Sequence, residues 1–363
     1  MIDWRVARYI AGRVGGTPLE RGPNEKHVSS ICLEAEDLVR DYTLMRGGPS
    51  APGAEVVPRS EWVRANTMSM GPLLDAAMEG VGAKAGKAAS AVSKAAAATS
   101  GGKAATKSPG VAVAAVVTLE AGVMLGLLSR KVLGQYDLPL IPQVNDPSPR
   151  LLFVGPNMEL AARSFGSGSS DDFLRWVAIH EVTHAVQFSA VPWLRGYIGG
   201  MAADLLDSLS DAKPTGRRPV ADLARAAAGR AGRTLTARDP FALMLSEEQH
   251  QIVNRMQAVM SVVEGHAEHV MDAAGAEVIP SLPQLRQAMV RRREAPNPVW
   301  RLVSRLMGLE MKMRQYEQGK AFCDAVAREA GPAGLLKVWD APANLPTGSE
   351  ILAPEKWMSR VSA

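Results

Sequence analysis

Phe173-Leu174-Arg175-Trp176-Val177-Ala178-Ile179-His180-Glu181-Val182-Thr183-His184-Ala185-Val186-Gln187-Phe188 follows a Gly166-Ser167-Gly168-Ser169-Ser170 run in which Ser169 and Asp172 form a helix-capping pattern. Phe173, Trp176, Val177, Ile179 and Val182 then place apolar residues at helical spacing, and Pro192 sets the far limit. The pattern predicts one helix running through Phe188, with His180, Glu181 and His184 near its middle. Because a side chain four residues on lies about one turn away, both imidazoles share a face and can reach one tetrahedral metal. Glu181, beside the first ligand, is placed to take a proton from a metal-bound water. One zinc ion, held by His180 and His184, is therefore the expected cofactor.

Two imidazoles do not complete a zinc site, so a third protein ligand has to lie elsewhere. The continuation that would supply a third histidine is missing, because Gln187 and Ala190 stand where His-x-x-Gly-x-x-His requires glycine and histidine. Downstream, Ser246 and Gln249 form a capping box, after which Ile252, Met256, Val259, Val263, Ala267 and Val270 trace one apolar face up to Gly275. Gln257, Ser261, Glu264, Glu268 and Asp272 run beside it as a polar stripe. Carboxylates on so apolar a helix need partners, and Glu264 is the expected third ligand. Glu268, one turn on, is placed to orient a ligand imidazole through its free ring nitrogen. His266, two residues from Glu264, falls near the opposite face and reads as a packing residue. His269 flanks the stripe as a candidate transition-state donor.

The remainder of the 363 residues bounds the answer. Apolar residues make up 47% and charged residues 21%, ordinary globular usage that excludes a disordered tail protein or a membrane channel. The net charge of +4 is small and the basic residues are scattered apart from Arg291, Arg292 and Arg293, so no nucleic-acid partner is expected. Cys32 and Cys323 are the two cysteines, too few for a four-thiolate zinc site and consistent with a reducing cytoplasm. Asp3 and Arg5 stand where a signal peptide would need an apolar run. The longest apolar stretch, Gly110 to Leu128, carries Glu120 at its centre and predicts a buried helix, not a membrane span; its Gly122-x-x-x-Gly126 spacing permits close packing.

The expected fold class is mainly α, with a small β element before the zinc-binding helix. Leu151-Leu152-Phe153-Val154, bounded by Pro149 and Gly155-Pro156, is the strand candidate, read as an edge strand able to hold substrate backbone or as a plain connection. Residues 1–81 read as an N-terminal helical region broken at Gly15-Gly16 and Gly47-Gly48. Residues 82–109 form an Ala/Lys/Gly-rich flexible insertion, and residues 110–363 form the catalytic region with C-terminal helices, continuous with 1–81 or separate from it.

Four blocks carry a family resemblance: Val132-Leu133-Gly134-Gln135-Tyr136-Asp137, the His180 to Phe188 helix, Val263 to Asp272 with its Glu264-Gly265-His266 core, and Lys312-Met313-Arg314-Gln315-Tyr316-Glu317-Gln318-Gly319. In these the chain resembles zincin-like zinc-dependent metalloproteases, mainly actinobacterial, that are associated with deazaflavin coenzyme biosynthesis. The resemblance covers most of the chain. It implies a helical zincin-like metallohydrolase fold and strengthens Glu264 as the third ligand. The function expected is a zinc hydrolase, most simply a metallopeptidase acting on a peptide or amide through zinc-activated water, with Glu181 as general base. Tyr316, His269 and Arg314 are the candidates for an oxyanion donor. The rival reading is a noncatalytic zinc scaffold, or an accessory protein of a cofactor-biosynthesis assembly.

Overall fold

Leu151, Leu152, Phe153 and Val154 have no solvent exposure because the strand that carries them lies between two neighbours. The computed structural model describes residues 2–16, 22–75, 109–140, 148–165, 170–211, 246–294 and 309–362. Ser169, residues 82–108 of the expected insertion, and the side chains of Arg291 to Arg293, Arg314 and Tyr316 lie outside what is described. Two units are distinguished, Met1–Asp37 with Pro49–Ser189, and Leu38–Gly48 with Ala190–Ala363.

The first unit contains α1 (Trp4–Gly15), most of α2 (Glu25–Thr43), β1 (Ala54–Val57), α3 (59–75), α4 (Pro109–Ser129), β2 (Gly134–Asp137), β3 (Arg150–Val154), α5 (Gly155–Phe165) and α6 (Ser170–Ala190). The sheet order is β1-β3-β2, with β1 parallel to β3 (Ala54 opposite Leu151) and β2 antiparallel to it (Gly134 opposite Phe153). The strand read as an edge strand or a plain connection is thus central. An unbroken apolar run is what a strand covered on both faces requires, and its two partners are too short and mixed in character to announce themselves. Leu152 and Val154 join Ala11, Val57, Trp62 and Val63 in a core cluster.

Polar side chains fix the sheet. Arg150 bridges Glu55 (2.6 Å) and Glu61 (3.2 Å) at the start of β3. Gln135 of β2 accepts hydrogen bonds from the Trp62 indole (2.7 Å) and the Asn66 amide (3.0 Å). Asn157 donates to the carbonyls of Ser129 and Val132, satisfying groups that the end of α4 would leave open. The glycine spacing of α4 serves close packing on α1: a Cβ at Gly122 would meet the Ala7 carbonyl at 2.7 Å, and one at Gly126 the Ala11 carbonyl at 2.8 Å. The helix is not buried all round, since Val116 and Leu119 are each just over half exposed (53% and 52%). No described helix is long and apolar enough to cross a membrane.

The second unit contains α7 (Pro192–Asp211), α8 (Glu247–Ala273), the short α9 (Gly275–Val278), α10 (Leu282–Glu294), α11 (Leu309–Leu336), two 3₁₀ turns, α12 (Gly348–Ile351) and α13 (Pro354–Ser362). The expected Ser246–Gln249 capping box starts α8, with both reciprocal hydrogen bonds formed. Its expected apolar face is the core of this unit, where Val259, Val263, Ala267 and Val270 are at most 2% exposed. Then α11 packs along α8 with backbones almost touching: a Cβ at Gly265 would strike the Gly319 backbone, and one at Gly319 the Ser261 carbonyl. Gly331, with φ of 68°, breaks α11 before Pro332.

Since neither backbone can retreat without unpacking the pair, Gly265→Ala and Gly319→Ala are each expected to cost about 2–4 kcal/mol, at or beyond the usual range for overpacking. Gly200→Ala, on α7 with nothing within 4 Å of its Cβ, is expected to be stabilising by about 0.5–1 kcal/mol. Urea denaturation of the full chain separates the two outcomes.

Candidate metal centre

Helix α6 begins with Asp171 and Asp172 in its first turn, where negative charge opposes the helix dipole favourably. It is buried from Phe173 almost to its end, so polar side chains as well as apolar ones enter the interior. Thr183 satisfies its hydroxyl on the Ile179 carbonyl at 2.6 Å. His180 and His184 stand one turn apart on one face, their ring centroids 4.9 Å apart and their planes at 88°. The Nδ1 of His184 lies 2.9 Å from the Oε1 of Gln187, which is itself fully buried. An amide oxygen only accepts, so in this pair Nδ1 is the donor. That orientation, held by a buried partner, is what a zinc-ligating imidazole requires, and the donor chemistry of this helix fits zinc.

Glu181 is 7% exposed and lies against β2. A Cβ at Gly134 would come within 2.7 Å of its Cγ and 2.9 Å of its Oε1, so the carboxylate occupies space that only glycine leaves open. Tyr136, two residues along β2, stacks on Phe188 of α6 at 6.1 Å between centroids. The thiol of Cys32 is pushed up to about 12, by burial first and then by the negative charge of Glu181.

In the second unit, Glu264 and Glu268 are half-buried one turn apart on α8, while Ser261 and Asp272 of the same stripe are buried. His266 is buried and packs edge-on against Trp339 at 5.3 Å, as its position predicts. His269 is held through both ring nitrogens. Its Nε2 meets the Tyr42 hydroxyl at 2.7 Å and its Nδ1 meets Asp324 at 2.7 Å. Lys320 continues the chain to Asp324 (2.7 Å) and Asp272 (3.2 Å), and Arg286 closes it on Asp272 (2.8 Å). Burial acts to raise the Asp324 carboxyl, but hydrogen bonds from His269 and Lys320 outweigh it and hold the group below the ordinary carboxylate range. Burial, then the charge of Asp324, pushes Tyr42 up, so its hydroxyl keeps the proton that it offers to His269.

Sequence reasoning missed Gln187, Gly134, Tyr42 and Asp324. Gln187 alone left a local signal, three residues beyond His184 on the same helical face. The other three are set by tertiary placement.

The depressed Asp324 carboxyl contributes stability that is present above its unfolded value and lost as pH falls through its lower native one. The stability gap between the parent protein and Asp324→Asn is therefore expected to be open at about pH 7 and to close as the pH falls below the ordinary carboxylate range. Denaturation at a series of pH values reads it; a gap that widens on acidification would contradict the assigned ion pairs.

A search of curated proteins gives no match. Among solved structures, the chain is similar to a crystal structure described as a candidate hydrolase with a novel fold from Chloroflexus aurantiacus. The two share 28% identity and a TM-score of 0.67, over 100% of this chain and 99% of that one. The family profile described as zincin-like metallopeptidase matches residues 2–358, almost the whole chain. Since that profile spans almost its whole length, this chain belongs to the zincin-like metallopeptidase family.

Proposed function

We propose that the protein is a zinc-dependent peptidase in which His180, His184 and Glu264 hold one zinc ion and Glu181 is the general base. The observation that carries this reading is the pair of imidazoles one turn apart on one face of α6, their ring centroids 4.9 Å apart, with the Glu181 carboxylate between them in sequence and buried against Gly134. Among the described residues, His180, His184 and Glu264 also make up a group of side chains able to hold a metal ion. The family match and the similarity to a candidate hydrolase support a hydrolytic role.

When bound, zinc supplies Lewis acidity that makes a water molecule acidic near neutral pH and polarises a carbonyl. The chain's own residues do the rest. Glu181, fixed against Gly134, accepts the proton of the attacking water and returns it to the leaving amine. Glu268 is assigned the orientation of a ligand imidazole. The outer edge of β2 carries no further strand among the described residues, and its backbone is the surface on which an extended peptide can pair. Free, buried Cys32 and Cys323 suit a reducing compartment such as the cytoplasm.

Elemental analysis of the purified chain is expected to find about one zinc per molecule, sharply reduced in Glu264→Ala. Glu181→Gln should keep zinc and fold while losing about a hundredfold or more in turnover of any peptide identified from an unbiased library. Full turnover by that variant would reject the assigned base. No cleavage of any peptide by the zinc-loaded parent would favour the noncatalytic scaffold.

A further inference from the structure

Two contacts set β2 alongside α6 within the first unit. A Cβ on Gly134 would come within 2.9 Å of the Glu181 carboxylate, and two residues further on Tyr136 stacks on Phe188 with ring planes 28° apart. Phe188 lies four residues beyond His184, and His184 four beyond His180. With about 100° of rotation per helical residue, His180, Glu181, His184 and Phe188 all fall within about 100° of the circumference of α6. The aromatic pair therefore stands at the end of the same row that carries both imidazoles. Tyr136 and Phe188 are each half-buried.

The hydrogen-bond alternation of the sheet decides what β2 presents on its far side. The Val154 amide donates to the Leu133 carbonyl at 2.8 Å, so these two residues are a hydrogen-bonded pair at the end of the antiparallel β2–β3 ladder. Such pairs alternate along a ladder. Gln135 and Asp137 therefore also bond toward β3, while the backbone N–H and C=O of Gly134 and Tyr136 are directed to the outer edge. Side chains alternate with the same period, so the two residues whose backbone faces outward are the two whose Cβ positions face α6. Among the described residues, no further strand pairs with that edge.

An extended peptide taken up on this edge makes its hydrogen-bonded pairs opposite Gly134 and Tyr136, about 6.8 Å apart along the strand. Residues directly opposite one another in a sheet turn their side chains to the same face. The peptide residue opposite Gly134, where β2 has no side chain of its own, is thus held beside Glu181. The residue two positions from it lays its side chain against Tyr136 and Phe188. Aromatic and branched aliphatic groups are the favourable cross-strand neighbours of a tyrosine, whereas a charged group would lose water against two rings.

We propose that Tyr136 and Phe188 are the specificity-determining pair of the peptidase, selecting substrates with an aromatic or large aliphatic side chain two residues from the one held beside Glu181. The inference rests on the reading of His180, Glu181 and His184 as part of a peptidase centre.

Fluorescent octapeptide pools, capped at both ends and carrying Phe, Leu, Ala or Asp at one scanned position, test it. Cleavage sites and kcat/KM are read on the zinc-loaded full chain, and affinities by anisotropy on the zinc-loaded Glu181→Gln chain. Phe and Leu at one fixed distance from the cut should raise kcat/KM about tenfold over Ala, and further over Asp, with the same order in affinity. Tyr136→Val keeps a strand-forming residue and should bring the Phe-to-Ala ratio to about two or less, while Tyr136→Phe should retain it. Melting temperature and zinc content identify the folded variants, and Phe188→Leu, a milder change that should also lower the ratio, serves if Tyr136→Val does not fold. Cleavage without an apolar preference at a fixed distance, or with a preference that survives in the folded variant, would overturn the aromatic pair and leave the peptidase standing. Tighter binding of the Phe pool, lost on substitution, without cleavage by the parent would sustain the pair and reject the peptidase. Uniform or absent binding with no cleavage would overturn both.

Discussion

Glu181, Thr183, His184 and Gln187 all enter the interior on one helix, and a buried polar group left unsatisfied costs about 1–3 kcal/mol. Several such penalties together would consume much of the 5–15 kcal/mol by which a domain is ordinarily stable. The first unit answers this cost locally: Thr183 bonds back to Ile179, and His184 and Gln187 satisfy each other. Those pairings fix the orientation of the His184 imidazole and of the helix face that carries it.

Position 134 shows how tightly the surrounding fold is fitted to that helix. The sheet is small, with β3 covered on both faces and β2 placed at its edge by Trp62 and Asn66 through Gln135. A glycine at the start of β2 lets the strand approach until only the Glu181 carboxylate fits between. The same device recurs in the second unit, where Gly265 and Gly319 bring α8 and α11 to backbone contact and so fix the rotation of the helix that carries Glu264. In both units, small residues set where the acidic side chains stand.

Much of this was legible in the chain because it is local. The helix period around His180, the limit at Pro192, the capping box at Ser246 and the apolar face of α8 are all short-range patterns, and each appears in the structure. What was not legible depends on partners distant in sequence. The run 151–154 announced a strand but not its central place, because β1 and β2 are four residues each and lack an apolar pattern. Nothing near His269 in sequence foretells its partners Tyr42, 227 residues away, and Asp324, 55 residues away. The apolar stretch of α4 predicted full burial, yet its glycine face alone needs to meet α1, and Val116 and Leu119 face solvent.

The central claim, that two imidazoles and one carboxylate hold the metal, is tested most directly by X-ray absorption at the zinc edge on the zinc-loaded full-length protein. The account predicts nitrogen and oxygen neighbours only, at about 2.0–2.2 Å, with outer-shell scattering from two imidazole rings. In Glu264→Ala the two-ring signature should persist while one light-atom neighbour is lost or replaced by solvent. A sulfur neighbour at about 2.3 Å, or scattering from a single imidazole, would contradict it.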